Sequence, residues 1–541
     1  MRSRMAMMVL LAALSVGARA DAPKQGVPSG CDPSVMSDEY WALWNDEAQT
    51  RIDADIEANR KADGVFAVEA KDGVEVAVEQ LSHEFHFGAH IFNFNQLGKK
   101  EWNDVYKASY GDGGLFNQAT VAFYWKNYEP VPNRQRVGGD YEDTERFWNS
   151  LSREEAMDHP FWRRPAPGPV IDFLKSKDVF IHGHVLVWGM DIPEWLYSWY
   201  CPESEKREFD ALGVPRLSCE DIPEGLTYNR YWRKCWRFNV FALEDRTQSD
   251  AHVPAVARRL AEMAPTFTKE MRRIFRKRVF DVAGAFGGVV DSWDVVNETV
   301  VDVPVYTKPR TGLPVWKSYY GLMPGDYPLH ALLDAKEAFP LETKLAINDY
   351  SIRPAYSALV KDLLDGGAKI DVVGCQMHIF DTNDCMRLAQ GATNVNWVGS
   401  PDIIRGKLDM MAETGRPLHV SEVTICAPGA DGRSRMIQAI LARNIYRAWF
   451  SHPKTMGITW WNTVDGGGVK DEPTVSGIFT AGMNRKPAYD ALDDLINREW
   501  RTKTTAKVDF GRISFRGFRG RYRLSWKSPD GKTLSKTVYL K

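Results

Sequence analysis

Short apolar runs that end in polar or aromatic residues recur along the chain, and stretches of helical period separate them. The runs cover residues 85–91, 120–125, 179–188, 289–297, 344–349, 371–379, 417–423 and 456–462. Between them lie patterns such as Leu329, Leu332, Leu333 and Ala335, which place apolar side chains on one helix face. Eight strands alternating with helices predict an α/β fold, a (β/α)8 TIM barrel over residues 85–498, with its site on the C-terminal face. Ahead of it, Val65 to Ala70 and Val74 to Val78 flank an Asp72-Gly73 turn and read as a hairpin within a β-rich segment, residues 21–84. After it, residues 499–541 alternate at strand period, as in Tyr522 to Trp526. This predicts a small C-terminal β appendage, read as stabilising the barrel rather than binding glycan because its roughly forty residues show no evident aromatic platform.

Two stretches do not fit the alternation: residues 133–169, with several Pro and Gly, and the Trp-rich, Cys-containing residues 200–252. In a barrel both belong to loops on the active face, where they would reshape the cleft. Residues 1–20 begin Met1-Arg2-Ser3-Arg4, continue apolar to about Val16 and end Ala18-Arg19-Ala20. That is the form of a cleaved signal peptide, and the apolar part is shorter than the roughly 20 residues a spanning helix needs. The expectation is a secreted or periplasmic protein, free of the membrane after cleavage and monomeric.

With 69 Lys and Arg against 71 Asp and Glu, the net charge of -2 gives no field that would draw nucleic acid, and a neutral substrate fits better. Aromatic residues reach 12%, including 19 Trp, enough to leave some for stacking on sugar faces beyond the core's needs. The seven cysteines include a cluster, Cys201, Cys219 and Cys235, that could staple a loop; Cys375 and Cys426 fall in or beside buried strands. No Cys-x-x-Cys pair or zinc spacing occurs, and neither metal nor cofactor is expected.

The candidate chemistry lies in two strand ends. Residues 289–298 deliver Asn297 and Glu298, and residues 417–423 deliver Glu422. A single Glu at a strand end is more often solvated or capping; two, among other polar strand ends, suggest acid/base chemistry on a sugar. The ordered set, with Trp293-Asp294-Val295-Val296-Asn297-Glu298 at its centre, resembles glycoside hydrolase family 10, the retaining endo-β-1,4-xylanases, over roughly residues 85–495. The resemblance implies that Glu298 is the general acid/base and Glu422 the nucleophile, with Asn297 contacting the sugar at the cleavage point. It implies substrate-binding roles for His184, Trp188, Gln376, His378 and Trp461, and for Trp125 on the second strand. His378 would help keep Glu422 ionised and oriented.

Several family positions differ. The Glu, Asn and Lys of the second strand read Thr120, Val121 and Tyr124; the His after Leu-Val-Trp is Gly189; the Asp beyond the nucleophile is Thr424. Asp465 to Gly468 replaces an aromatic-bearing loop. These changes concern binding of the glycan more than bond cleavage. The expected activity is hydrolysis of xylan by double displacement. The alternatives are a non-catalytic carbohydrate-binding barrel or a retaining hydrolase of another β-glycan. The sequon Asn297-Glu298-Thr299 is a coincidence, since a glycan there would block the site.

Overall fold

The computed structural model describes residues 21–189, 191, 193, 272–300, 326–470 and 472–541. The predicted signal peptide and the insertion at 200–252 with its three cysteines lie outside the described residues.

Strands β1 (Lys61–Ala67) and β2 (Glu75–His83) precede eight parallel strands: β3 (His86–His90), β4 (Gln118–Ala122), β5 (Phe180–Trp188), β6 (Ser292–Asn297), β7 (Lys344–Asp349), β8 (Val372–Gln376), β9 (Leu418–Val423) and β10 (Thr455–Trp460). They close into a barrel in chain order, with β10 paired to β3. The predicted barrel is thus the observed one, with strands shorter than expected at several ends. Among them is the second strand, which ends at Ala122; the chain then turns through a one-turn helix, Trp125–Tyr128. The helix Tyr327–Ala338, read from its leucine pattern, buries Ala331, Leu332 and Ala335.

The terminal segments depart from the prediction. Residues 21–60 contain the helices Asp38–Leu43 and Asp46–Arg60, so only the second part of the segment 21–84 is β. Asn45 caps the longer helix by accepting from Ala48 N (3.0 Å), and Ile52 and Ile56 bury one face. The helix docks on Gly432–Ser451, the long helix after β9, through Gln49 Nε2 to Asn444 Oδ1 (2.6 Å) and Arg447 to Gln49 and Asp53.

Nor do β1 and β2 form a hairpin. The C-terminal strands are β11 (Lys503–Lys507), β12 (Arg512–Phe518), β13 (Gly520–Lys527) and β14 (Thr533–Leu540). β1 pairs with β12, and β2 lies between β11 and β13 in a four-stranded sheet. The Asp-Gly turn is present, with Gly73 at φ 84°, but the edges of both flanking strands are better satisfied by longer partners from the far end of the chain. Val76, Val78, Ile513, Phe515, Tyr522 and Leu524 then bury one shared core, separate from that of the barrel. Phe450 stacks on Trp500 (4.0 Å between ring centroids) where this β unit meets the barrel.

Candidate active site

Inter-strand register builds the site. Neighbouring positions on β5 and β6 pair His182 with Ser292 and His184 with Asp294, and each pair is hydrogen-bonded, at 2.7 and 2.8 Å. A bulge after Asp294 then resets the strand so that Asn297 faces Asn348 of β7, whose Nδ2 donates to Asn297 Oδ1 (2.9 Å). The same amide donates to Glu422 Oε1 (2.6 Å). Gln376, the register partner of Glu422, donates through Nε2 to Asn297 Oδ1 (3.1 Å) and Glu298 Oε1 (3.4 Å). The two glutamates, 124 positions apart in the chain, are therefore joined through Asn297, Asn348 and Gln376.

Glu298 stands just beyond β6 with φ 55°, a left-handed conformation that costs a non-glycine residue on the order of 1–3 kcal/mol. Its N–H donates to Asn348 O (2.8 Å), which fixes the turn and points the side chain at the network. Trp188 Nε1 donates to its Oε2 (3.3 Å). Burial, and then the charges of Glu422 and Asp349, push the Glu298 carboxyl up to about 8. At neutral pH it therefore holds a proton, as a general acid must.

Glu422 is buried and held differently. Besides Asn348, its Oε2 meets His378 Nε2 at 3.0 Å, and His378 Nδ1 meets Thr424 Oγ1 at 3.0 Å. The hydroxyl of Thr424 takes up the position beyond the nucleophile where the family carries Asp. A hydroxyl can donate to Nδ1, which leaves Nε2–H free to donate to Glu422 from a neutral ring. At the edge of the network, burial would raise the Asp294 carboxyl, but His182 and His184 together hold it well below the usual carboxylate range. This anion fixes the ring of His184.

Trp461 lies against the rings of His184 (5.5 Å) and His378 (5.8 Å), and packs with Phe92, Tyr124 and Trp188 in one aromatic cluster. Eight of the nine predicted residues (Glu298, Glu422, His184, Trp188, Asn297, Gln376, His378 and Trp461) thus come together. Trp125 does not. It is 3% exposed, its Nε1 donates to Glu129 Oε2 (3.0 Å), and its ring packs on Phe275 in the main core. Because β4 stops at Ala122, strand alternation no longer applies, and Tyr124 rather than Trp125 joins the cluster.

Residues 133–169 reach the loop after β10, as expected of a loop that shapes the cleft. Arg153 donates to Asp465 O (3.1 Å), Trp162 Nε1 to Gly468 O (3.2 Å), and Arg163 pairs with Glu472 (2.7 Å). The sequon is inaccessible: Asn297 and Thr299 are both buried. Cys375, Cys385 and Cys426 are buried free thiols, and among the described residues no group of His, Cys, Asp and Glu is gathered as for a metal ion.

Asn348, Asp294, Thr424 and Tyr124 were not assigned roles from the sequence. Asn348 ends the run Ala346-Ile347-Asn348-Asp349, so its strand-end position was the available signal. Its role depends on partners from β6 and β9, which only the closed barrel supplies.

A carboxylate pair with one member protonated, set among amide donors and aromatic rings at the C-terminal face of a closed (β/α)8 barrel, defines a glycoside hydrolase. Residues 253–495 match the model of Glycosyl hydrolase family 10. It is 24% identical over 342 residues to endo-1,4-beta-xylanase B of Thermotoga neapolitana, covering 61% of this chain and 73% of that one. It is 33% identical over 214 residues to endo-1,4-beta-xylanase A of Xylanibacter ruminicola, covering 39% of each. Among solved structures, native xylanase 10B from Thermotoga maritima aligns with TM-score 0.48 at 20% identity, over 77% of this chain and 96% of that chain.

Proposed function

We propose that the protein is an endo-1,4-β-xylanase that hydrolyses β-1,4-xylosidic bonds with retention, and that it acts outside the cytoplasm after removal of residues 1–20. Glu298 protonates the leaving oxygen while Glu422 attacks the anomeric carbon. Glu298, now ionised, then takes a proton from water, and that water releases the glycosyl-enzyme. The observation that carries this reading is the split environment of the two carboxyls. Burial raises Glu298 to about 8, whereas Glu422 is oriented by Asn348 and His378. The match of residues 253–495 to the family 10 model and the likeness to named xylanases support the substrate class.

Replacing either glutamate by Ala should lower the rate on a soluble β-1,4-xylan by about 10²–10⁴-fold. The first product seen by NMR should be the β anomer. An α anomer would exclude double displacement. Binding of xylo-oligosaccharides by the wild type without any cleavage would replace the enzyme reading by that of a carbohydrate-binding barrel.

A further inference from the structure

The second strand lacks the polar groups that the family resemblance leads one to expect there, and a cation stands beside it. The Arg164 guanidinium lies 3.5 Å from the centroid of the Tyr124 ring and 5.7 Å from that of Phe92. Tyr124 in turn contacts the rings of His184 (5.4 Å) and Trp188 (5.8 Å), and Trp188 donates to the catalytic acid. Arg164 is therefore two aromatic rings away from Glu298.

Arg164 is held less closely than the residue before it. Arg163 is 1% exposed and pairs through its two terminal nitrogens with Glu472 at 2.7 Å and His90 at 2.6 Å. Arg164 is partly exposed; its Nη1 donates to the Arg163 carbonyl (2.9 Å), and among the described residues no carboxylate lies within ion-pair distance of it. Burial pulls its pKa below the ordinary arginine value, yet a guanidinium stays charged at any physiological pH. A half-buried cation with no ion-pair partner among the described residues, and only the more distant pull of Asp191 and Glu472, is a cost to the fold that a bound anion would offset. A neutral pentose chain offers only hydroxyls, whereas a carboxylate matches the planar fork of a guanidinium with two parallel hydrogen bonds.

We propose that Arg164 binds a carboxylate on the glycan, so that the preferred substrate is a β-1,4-xylan bearing uronic acid groups. This rests on the reading of the cleft as xylan-cleaving and adds the feature that selects among xylans.

The test compares kcat/KM on a glucuronoxylan with that on the same polymer after its carboxyls have been reduced to alcohols. The wild type should favour the acidic polymer by about tenfold or more. Arg164→Gln should bring that ratio close to one, and Arg164→Lys should restore part of it, keeping the charge but not the fork. A xylan sulfated to the same charge density separates a carboxylate reader from general attraction to anions; equal preference for it would overturn the carboxylate assignment. Equal wild-type rates on the acidic and reduced polymers, or equal losses on both in Arg164→Gln, would overturn the proposal. Calorimetric binding of acid-bearing and carboxyl-reduced oligosaccharides to Glu422→Ala, with and without Arg164→Gln, needs no turnover. Arg164-dependent preference in binding, with no cleavage by the wild type, would leave this inference standing and remove the xylanase reading. No preference in binding would remove this inference alone.

Discussion

Glu298 pays for its role in a way that can be measured. Below the ordinary carboxyl value of 4.5, folded and unfolded chains both hold the proton. Between there and about 8, the folded chain keeps the proton that the unfolded chain has released. Stability therefore declines as pH rises across that window, and the loss is complete above about 8. Glu298→Gln removes the titration, so its melting temperature should exceed that of the wild type, by more at pH 8 than at pH 5; a gap independent of pH would contradict the raised carboxyl. Activity should likewise fall as pH rises through about 8, because the acid form is then lost. At this scale the sequence showed the reacting groups well: both glutamates end apolar strands, which is legible without a structure. The groups that hold them were less visible. The role of Thr424 depends on His378 lying across from it on the neighbouring strand end, and Arg164 sits in a loop whose path no periodicity reveals.

Strand β8 shows how an element sets the site beyond the side chains it contributes. A Cβ on Gly374 would lie 2.5 Å from Asn348 Oδ1 and 3.1 Å from Ser421 Oγ, the two atoms that hydrogen-bond across it at 2.5 Å. The bare backbone there lets Asn348 turn its amide toward Asn297 and Glu422. Gly374→Ala should displace Asn348 and lower kcat by about 10²-fold, the scale of a misplacement near 1 Å, while circular dichroism reports an intact barrel. Unchanged kcat would mean that Asn348 does not orient the nucleophile. The eight strands themselves were readable because each is an apolar run with a polar end. Bulges and strand ends were not. The bulge between Asp294 and Val296 decides which side chains face β7, and the early end of β4 sends Trp125 into the core and Tyr124 into the cleft. Both are set by closure of the barrel rather than by local preference.

At the scale of the molecule, the two ends of the chain behave as one body. Reading along the sequence separates residues 21–84 from 499–541, because local patterns cannot show pairing between strands more than 400 positions apart. In the fold, β2 has β11 on one edge and β13 on the other, and β1 has β12. Val76 and Val78 are fully buried beneath Leu524 and Tyr522, and Trp500 stacks on Phe450 at the barrel. Removing residues 499–541 would therefore do more than delete an ornament. It would strip both edges of β2, uncover its apolar face and leave Phe450 without its stacking partner. The shortened chain should aggregate on expression or melt well below the full-length protein, as light scattering and calorimetry would show. A detachable appendage would instead leave a soluble barrel with an unaltered melting temperature and full xylan hydrolysis. That result would show that the shared core contributes nothing to the stability of the catalytic unit.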